Sequence, residues 1–182
     1  MKNAIILHGL GGKPEDYWFP YVKSELEKIE YSVWVPVLPE RDGLCLEDVV
    51  PFILEKGTMT HETVLIGHSS GASLILAVLE KVPVRIQQAI LVSGYLRIEN
   101  AQSNKSVKGS EDDYDWDRIQ SNASQFVTIN SANDPWGCND VQGRKIFNHV
   151  GGVFVINNEG HMGSASSNQP YKEFPFIVKL IE

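Results

Sequence analysis

Residues 63–79 have the sequence TVLIGHSSGASLILAVL, in which an apolar run, a short turn and a second apolar run follow one another directly. The first run, 63–66, has the length of a buried strand, and the second, 72–79, has the composition of a buried helix. Between them stands the pattern Gly-x-Ser-x-Gly, which in a strand-turn-helix context exposes the serine hydroxyl at a sharp turn. We therefore predict that Ser69 is a nucleophile. The alternative interpretation is that Ser69 or Ser70 only caps the helix.

A serine nucleophile needs a base that accepts its proton and an acid that orients the base. The apolar run 126–129 leads to Asp134, which precedes a proline, and the run 153–156 leads to His161, which follows a glycine. We predict that Asp134 is the acid and His161 the base. The chain order serine, acid, histidine is that of α/β-hydrolases and differs from the other known triad orders.

The stretch 8–12, with the sequence HGLGG, follows the apolar run 4–7 and is the predicted oxyanion loop. In this fold the oxyanion accepts hydrogen bonds from the amide after the nucleophile and from an amide in the loop after an early strand. We assign these two backbone donors to Ser70 and Leu10. A phosphate-binding loop is the rival interpretation, but neither Gly-x-Gly-x-x-Gly nor a Gly-Lys-Ser/Thr motif is present there.

The remaining titratable residues near these motifs have simpler interpretations. Glu159 is the second candidate for the acid, but it stands only two residues before His161 and would have to fold back sharply to reach the imidazole ring. His8 and His68 follow strand ends and are expected to be hydrogen-bonded scaffolding. No group of His, Cys and carboxylate residues has the sequence spacing of a metal site, so we predict neither a metal nor a cofactor.

Several short motifs together resemble those of a known family. The chain resembles the α/β-hydrolases, and more closely the small YdeN-like serine hydrolases related to retinoblastoma-binding protein 9. The matching segments are LHG at 7–9, YWFP at 17–20, GHSSG at 67–71, DWDRI at 115–119, NDPW at 133–136 and GHMGSAS at 160–166. The resemblance implies an α/β-hydrolase fold and a triad of Ser69, Asp134 and His161.

The chain departs from the family pattern at two places. A retinoblastoma-type partner would need Leu-x-Cys-x-Glu; Cys45 and Glu47 are correctly spaced, but Gly43 stands where the leucine should be. A protein partner of that kind is therefore unsupported. The stretch 168–170, with the sequence NQP, also differs from the glycine-rich segment that follows the catalytic histidine in the family.

Composition is typical of a compact enzyme. The chain has 182 residues, of which 42% are hydrophobic and 21% charged, and this predicts one domain spanning 1–182. The net charge of −7 argues against nucleic-acid binding. Cys45 and Cys138 are far apart and predict reduced thiols. Because no signal-peptide pattern or membrane-spanning run is evident, we expect a cytoplasmic protein that does not bind membranes.

Alternating strand-like and helix-like segments predict an α/β fold. We expect a mostly parallel six-stranded sheet of order 2-1-3-4-5-6 with helices on both faces and no large cap domain. The predicted strands cover 3–8, 32–37, 62–67, 88–93, 125–130 and 153–157. The first predicted helix follows the first strand and begins near Pro20. Further predicted helices cover 45–56, 71–81, 138–149 and 172–181. Nucleophile, acid, base and oxyanion loop all follow strands, at the sheet edge where such folds bind ligands.

The predicted site is open, because only the polar segment 95–117 could cover it. That segment is a solvated loop or a short lid. We expect the pocket to be lined by Leu10, Trp18, Trp136 and Met162.

These features predict a serine hydrolase of small ester, thioester or amide substrates that forms an acyl-enzyme on Ser69. The family resemblance also permits an aminopeptidase-like activity on small peptides or aminoacyl amides. A protein-interaction module that retains a vestigial triad is the alternative of a different class.

Overall fold

The computed structural model describes residues 1–39, 45–96 and 110–181, and these residues build a three-layer α/β structure. Its six strands form one parallel sheet in the order β2-β1-β3-β4-β5-β6. The predicted strand order is thus confirmed. The strands are β1 (Asn3–Leu7), β2 (Ser32–Trp34), β3 (Thr63–His68), β4 (Ile86–Val92), β5 (Ala123–Ser131) and β6 (Val153–Asn157).

The central strands are apolar on both faces because helices cover both sides of the sheet. In β1, Ala4 and Ile6 pack into one core, while Ile5 and Leu7 pack into the other. This alternation follows from the pleat of a strand, which sends successive side chains to opposite faces. Continuous hydrophobic strands of this kind are typical of parallel sheets with two covered faces.

Six α-helices and one 3-10 helix accompany the sheet in the described ranges. They are α1 (Phe19–Lys28), α2 (Leu46–Lys56), α3 (Ser70–Leu79), the 3-10 helix Glu111–Asp113, α4 (Trp116–Ser121), α5 (Asp140–Val150) and α6 (Pro175–Lys179). Residues of α1 and α6 belong to one core, and those of α2 to α5 belong to the other. None of these helices has the length and apolarity needed to cross a membrane.

Some element boundaries differ from those predicted. Strand β2 has three residues instead of six, and the 3-10 helix and α4 were not predicted. Helix α4 begins after Asp115, whose side chain accepts a hydrogen bond from Arg118 N at 3.1 Å. Such capping explains how a helix of only six residues forms in a polar segment. Helix α6 is shorter than expected because it begins at Pro175, a residue favoured in the first helical turn.

Two predictions fall partly outside the described residues. Of the segment 95–117, residues 97–109 are not described, so the lid prediction lies largely outside the structure. Gly43 of the incomplete Leu-x-Cys-x-Glu pattern is also outside the described residues. Cys45 stands at the N-cap of α2, and Glu47 lies in the first turn of that helix.

Candidate active site

Ser69 lies at the turn between β3 and α3, as the sequence predicts. Its backbone has φ 57° and ψ −126°, a strained conformation for a residue with a side chain. A Cβ added to Gly71 would lie 2.2 Å from Leu7 O, and one added to Gly67 would lie 2.5 Å from Gly71 O. Both glycines are therefore required by the close approach of helix and strand. The turn directs Ser69 into a cavity at the carboxyl edge of the sheet.

The predicted acid and base are in direct contact. His161 Nδ1 lies 2.7 Å from Asp134 Oδ2, and the Asp134 side chain is fully buried. Asp134 Oδ1 also accepts a hydrogen bond from Trp136 N at 2.8 Å. Because an ionised carboxylate can only accept, the imidazole proton resides on Nδ1, and Nε2 is left as the basic nitrogen. The arrangement suits His161 to accept a proton from a neighbouring hydroxyl.

Ser69 and His161 line the same cavity. Among the described residues no hydrogen bond joins Ser69 Oγ to the imidazole. Catalytic hydrogen bonds are commonly long before substrate binds and tighten in the complex.

The loop that carries His161 is anchored from below by two buried donors. The carbonyl of His161 accepts hydrogen bonds from His68 Nε2 at 2.8 Å and from Ser93 Oγ at 3.1 Å. Burial, together with the smaller effect of the nearby His161 ring, lowers the pKa of His68 to about 3. His68 is therefore a neutral donor at physiological pH. This is the scaffolding role expected for it.

Gln169 holds the other side of the same loop and was missed by sequence reasoning. Its Oε1 accepts a hydrogen bond from His161 N at 2.8 Å. The side chain also lies so close to Gly160 that an added Cβ there would fall 1.8 Å from Gln169 Nε2. The departure from the family pattern at 168–170 was the available signal, because a glutamine in place of a glycine can supply an acceptor.

The predicted oxyanion donors lie next to each other, but one of them, the Leu10 amide, already has a hydrogen-bond partner. Leu10 N donates to Ser70 Oγ at 2.7 Å, a contact between residues 60 positions apart. The Leu10 amide can therefore reach an oxyanion only if this hydrogen bond is broken or relayed through the hydroxyl. Ser70 N belongs to the first turn of α3, where backbone amides have no partner within the helix.

The cavity has a volume of about 750 Å³ and two exposed apolar residues on its rim. Leu10 is 59% exposed and Trp136 is 58% exposed. The indole of Trp136 donates from Nε1 to Ser164 Oγ at 3.2 Å, which holds the ring beside the cavity. Both residues lie where the sequence predicts pocket residues.

Trp18 and Met162 are not in the cavity wall. Both are fully buried in the core beneath it, and Trp18 Nε1 donates to Met162 O at 2.9 Å. The Trp18 ring packs edge-on against aromatic rings including those of Phe19 and Phe174, so its bulk is taken up by the core. Its neighbour Tyr17 lines the cavity instead.

The cavity wall contains further residues that the sequence did not indicate. They are Tyr17, Tyr95, Gly137, Cys138, Gln142, Gly163, Ser164, Ala165 and Ser166. Within the described part of the chain this wall holds no Asp, Glu, Lys or Arg side chain. The charged groups that such side chains carry are therefore absent from the described wall.

Asp134, Cys138 and His161 form a group whose ligand atoms lie within 4.8 Å of one another, a geometry that could hold a metal ion. Two of these residues are already hydrogen-bonded to each other at 2.7 Å. Burial and the charge of Asp134 raise the pKa of the Cys138 thiol to about 12. The buried hydrogen bond between Asp134 and His161 is the contact expected of an acid-base pair.

The fold has clear counterparts among solved structures. The crystal structure of the ydeN gene product of Bacillus subtilis superposes with a TM-score of 0.83 at 21% identity, covering 100% of this chain and 97% of that one. Est1E of Butyrivibrio proteoclasticus with bound ferulic acid gives a TM-score of 0.66 at 11% identity, covering 100% and 86%. Arabidopsis thaliana SOBER1 superposes with a TM-score of 0.63 at 14% identity, covering 99% of this chain and 97% of that one. The sheet and these neighbours define an α/β-hydrolase fold.

Sequence comparison then gives the family. The family model for serine hydrolases matches residues 4–181, so the chain belongs to the serine hydrolase family. It is 26% identical over 141 residues to the serine hydrolase RBBP9 of Rattus norvegicus. This alignment covers 74% of this chain and 73% of RBBP9. It is 31% identical over 99 residues to YdeN of Bacillus subtilis strain 168. This alignment covers 53% of this chain and 52% of YdeN. In that alignment the chain spans about half the length of YdeN.

Proposed function

We propose that this serine hydrolase cleaves small, uncharged ester substrates through Ser69, Asp134 and His161 and an acyl-enzyme intermediate, with thioesters and amides as related substrates. The observation that carries the proposal is the 2.7 Å contact between His161 Nδ1 and Asp134 Oδ2 at the cavity that Ser69 also lines. Family membership supports hydrolysis, and the strained turn at Ser69 supports that residue as the nucleophile.

The reaction follows from these positions. Ser69 Oγ attacks the carbonyl carbon, its proton passes to His161 Nε2, and the carbonyl electron pair moves onto the oxygen. The backbone amide of Ser70 then donates to this oxyanion. On collapse of the intermediate, His161 gives its proton to the leaving group. Water activated by His161 releases the acyl group and restores Ser69.

Asp134 contributes through His161. Its carboxylate fixes the tautomer and stabilises the imidazolium that forms when Ser69 is deprotonated. The hydrogen bond from Trp136 N holds the carboxylate in place. Neutral His68 supports the loop from below without adding a charge that would compete with the imidazolium.

The cavity wall favours neutral substrates. An aminopeptidase-like enzyme needs an acidic group for the substrate ammonium, and no acidic side chain lines the described wall. The nearby carboxylate of Asp134 is buried and hydrogen-bonded to His161. The exposed apolar surfaces of Leu10 and Trp136 suit an apolar or aromatic acyl or alcohol group. The structurally similar Est1E binds ferulic acid, whose acyl part is aromatic. We therefore place esters ahead of aminoacyl amides.

The remaining alternative is an interaction module with a vestigial triad. It predicts no turnover and no requirement for the hydrogen bonds that hold His161. The preserved Asp134–His161 contact favours catalysis.

A substrate panel tests the proposed function. Purified protein is assayed with p-nitrophenyl and aryl esters of neutral acyl chains, with esters that carry a carboxylate or an ammonium group, with a thioester and with aminoacyl amides. We expect turnover of neutral esters and its loss in Ser69→Ala. Fastest turnover of aminoacyl amides would support the aminopeptidase alternative. An inactive, folded wild type would support the interaction module.

A further inference from the structure

The contact between Leu10 N and Ser70 Oγ changes how the oxyanion hole can work. A hydroxyl has one hydrogen to donate and two lone pairs that accept. At 2.7 Å, Leu10 N–H donates to the Ser70 hydroxyl, which uses one of its lone pairs. The Ser70 O–H remains available, because the described residues include no acceptor for it. Ser70 is only 2% exposed, yet it forms part of the cavity wall beside Ser69.

We propose that the Ser70 hydroxyl is itself an oxyanion donor, aligned by the Leu10 amide. The inference rests on the proposed function and adds a side-chain donor to it. The oxyanion would accept from Ser70 N–H and from Ser70 Oγ–H, while Leu10 N–H donates to Ser70 Oγ. Donation by Leu10 polarises the hydroxyl and strengthens the hydrogen bond that it donates in turn.

The position of the loop supports this arrangement. A Cβ added to Gly9 would lie 3.0 Å from Ser69 Cβ and 3.4 Å from Ser69 Oγ, so the oxyanion loop packs directly against the nucleophile. The loop is closed by a hydrogen bond from Gly12 N to Gly9 O at 3.0 Å. Leu10 is thereby held above the start of α3. A buried donor fixed in this way needs little reorganisation when charge develops on the carbonyl oxygen.

The proton count is unchanged by this donor. During acylation the Ser69 Oγ–carbon bond forms, the carbonyl electron pair moves to oxygen, and the Ser69 proton goes to His161. Ser70 keeps its proton and shares it in a hydrogen bond. When the oxyanion collapses to a carbonyl, the leaving group departs with the proton from His161, and Ser70 Oγ–H is again without a charged acceptor.

In the alternative role, Ser70 Oγ blocks the Leu10 amide. The hydrogen bond from Leu10 N to Ser70 Oγ must then break before the amide can stabilise the oxyanion. The two roles predict opposite effects of Ser70→Ala. If Ser70 is a donor, kcat falls by about 100-fold with little change in KM, the loss typical of one missing oxyanion donor. If Ser70 blocks the amide, kcat is unchanged or rises, because Leu10 N–H becomes free.

The test measures kcat and KM of wild type, Ser70→Ala and Ser70→Thr on a neutral aryl ester. Ser70→Thr retains the hydroxyl and should recover most of the lost rate. Ser24→Ala, an exposed serine on α1, is the control for a serine-to-alanine change and should match wild type. Thermal unfolding of each variant checks that it is folded.

A second measurement separates oxyanion stabilisation from substrate binding. A trifluoromethyl ketone forms a tetrahedral adduct with an oxyanion, whereas the matched alcohol does not. Ser70→Ala should weaken binding of the ketone by about the same factor as it lowers kcat, and it should leave binding of the alcohol unchanged. Unchanged kcat and ketone affinity in a folded Ser70→Ala, with an active wild type, would overturn this inference alone. A wild type without turnover would overturn the proposed function and this inference with it.

Discussion

The carboxylate of Asp134 lies 2.7 Å from Nδ1 of His161, although the two residues are 27 positions apart in the chain. Replacing Asp134 by Asn should lower kcat by about 10⁴-fold at neutral pH, because an amide can stabilise the wrong imidazole tautomer. The fold should be retained, since Asn can still accept from Trp136 N. Steady-state kinetics on a neutral ester measure the loss.

Glu159→Gln is the matched control for that variant. Glu159 is the other acid near His161 in sequence. Its backbone amide donates to Ser131 Oγ at 3.2 Å, but within the described residues no hydrogen bond joins its carboxylate to His161. The control should retain kcat within a few-fold. Equal losses in the two variants would contradict the assignment of the acid.

Much of this site could be predicted because its parts are local. The glycines at 67 and 71 predict the sharp turn in which Ser69 has a strained backbone. Each of the three predicted triad residues follows an apolar strand. Parallel strands then bring these ends to one edge of the sheet. The six strands and their order followed from the same alternation of segments.

The parts that could not be predicted depend on distant packing. Nothing local distinguishes Tyr17, which lines the cavity, from Trp18, which is buried beneath it. The hydrogen bond from Leu10 to Ser70 joins two loops whose relative position is set by the sheet. At the start of α5, Asn139 is the N-cap and accepts a hydrogen bond from Val141 N at 3.1 Å, while the neighbouring Asp140 lies in the first turn.

Stability should depend on pH through His68. Its pKa is lowered to about 3 in the folded protein and is near 6.5 in an unfolded chain, so the unfolded state binds more protons between these values. The contribution of neutral His68 to the free energy of unfolding is fully present above pH 6.5 and is lost as the pH falls toward 3. Between pH 7 and pH 5 the loss in unfolding free energy should be about 2 kcal/mol.

Urea unfolding of wild type and His68→Gln at the two pH values measures this contribution. Gln can keep a donor toward the carbonyl of His161 but does not titrate, so the variant should lose about 2 kcal/mol less than wild type on acidification. His61→Gln, at an exposed histidine, should behave like wild type. The same acid sensitivity in His68→Gln would show that other groups cause it.

Gly71→Ala should destabilise the protein by about 3 kcal/mol or prevent folding, because its Cβ would lie 2.2 Å from Leu7 O. Gly151→Ala is the control. Gly151 has φ 70° and ψ −149°, a region that residues with side chains rarely adopt, but open space surrounds it, so backbone strain of about 1–3 kcal/mol without a steric clash is the expected cost. Thermal or urea unfolding compares the two. Similar small effects at both positions would contradict the close approach of α3 and β1.

The two cysteines should differ in reactivity. Cys138 is buried and its pKa is raised to about 12, whereas Cys45 is partly exposed at the start of α2. With a disulfide reagent at pH 8, one thiol per chain should react quickly in the folded protein and two in urea. Cys45→Ser should remove the fast reaction. Rapid modification of Cys138 would contradict its burial.

The most direct test of the central claim is mass spectrometry after treatment with a fluorophosphonate probe. A base-activated serine attacks phosphorus and displaces fluoride, which leaves a stable adduct on the nucleophile. We expect one adduct per chain, mapped to Ser69, and none in folded Ser69→Ala. An unlabelled, folded wild type, or an adduct on a different residue, would contradict the assignment of Ser69 as the nucleophile of this hydrolase.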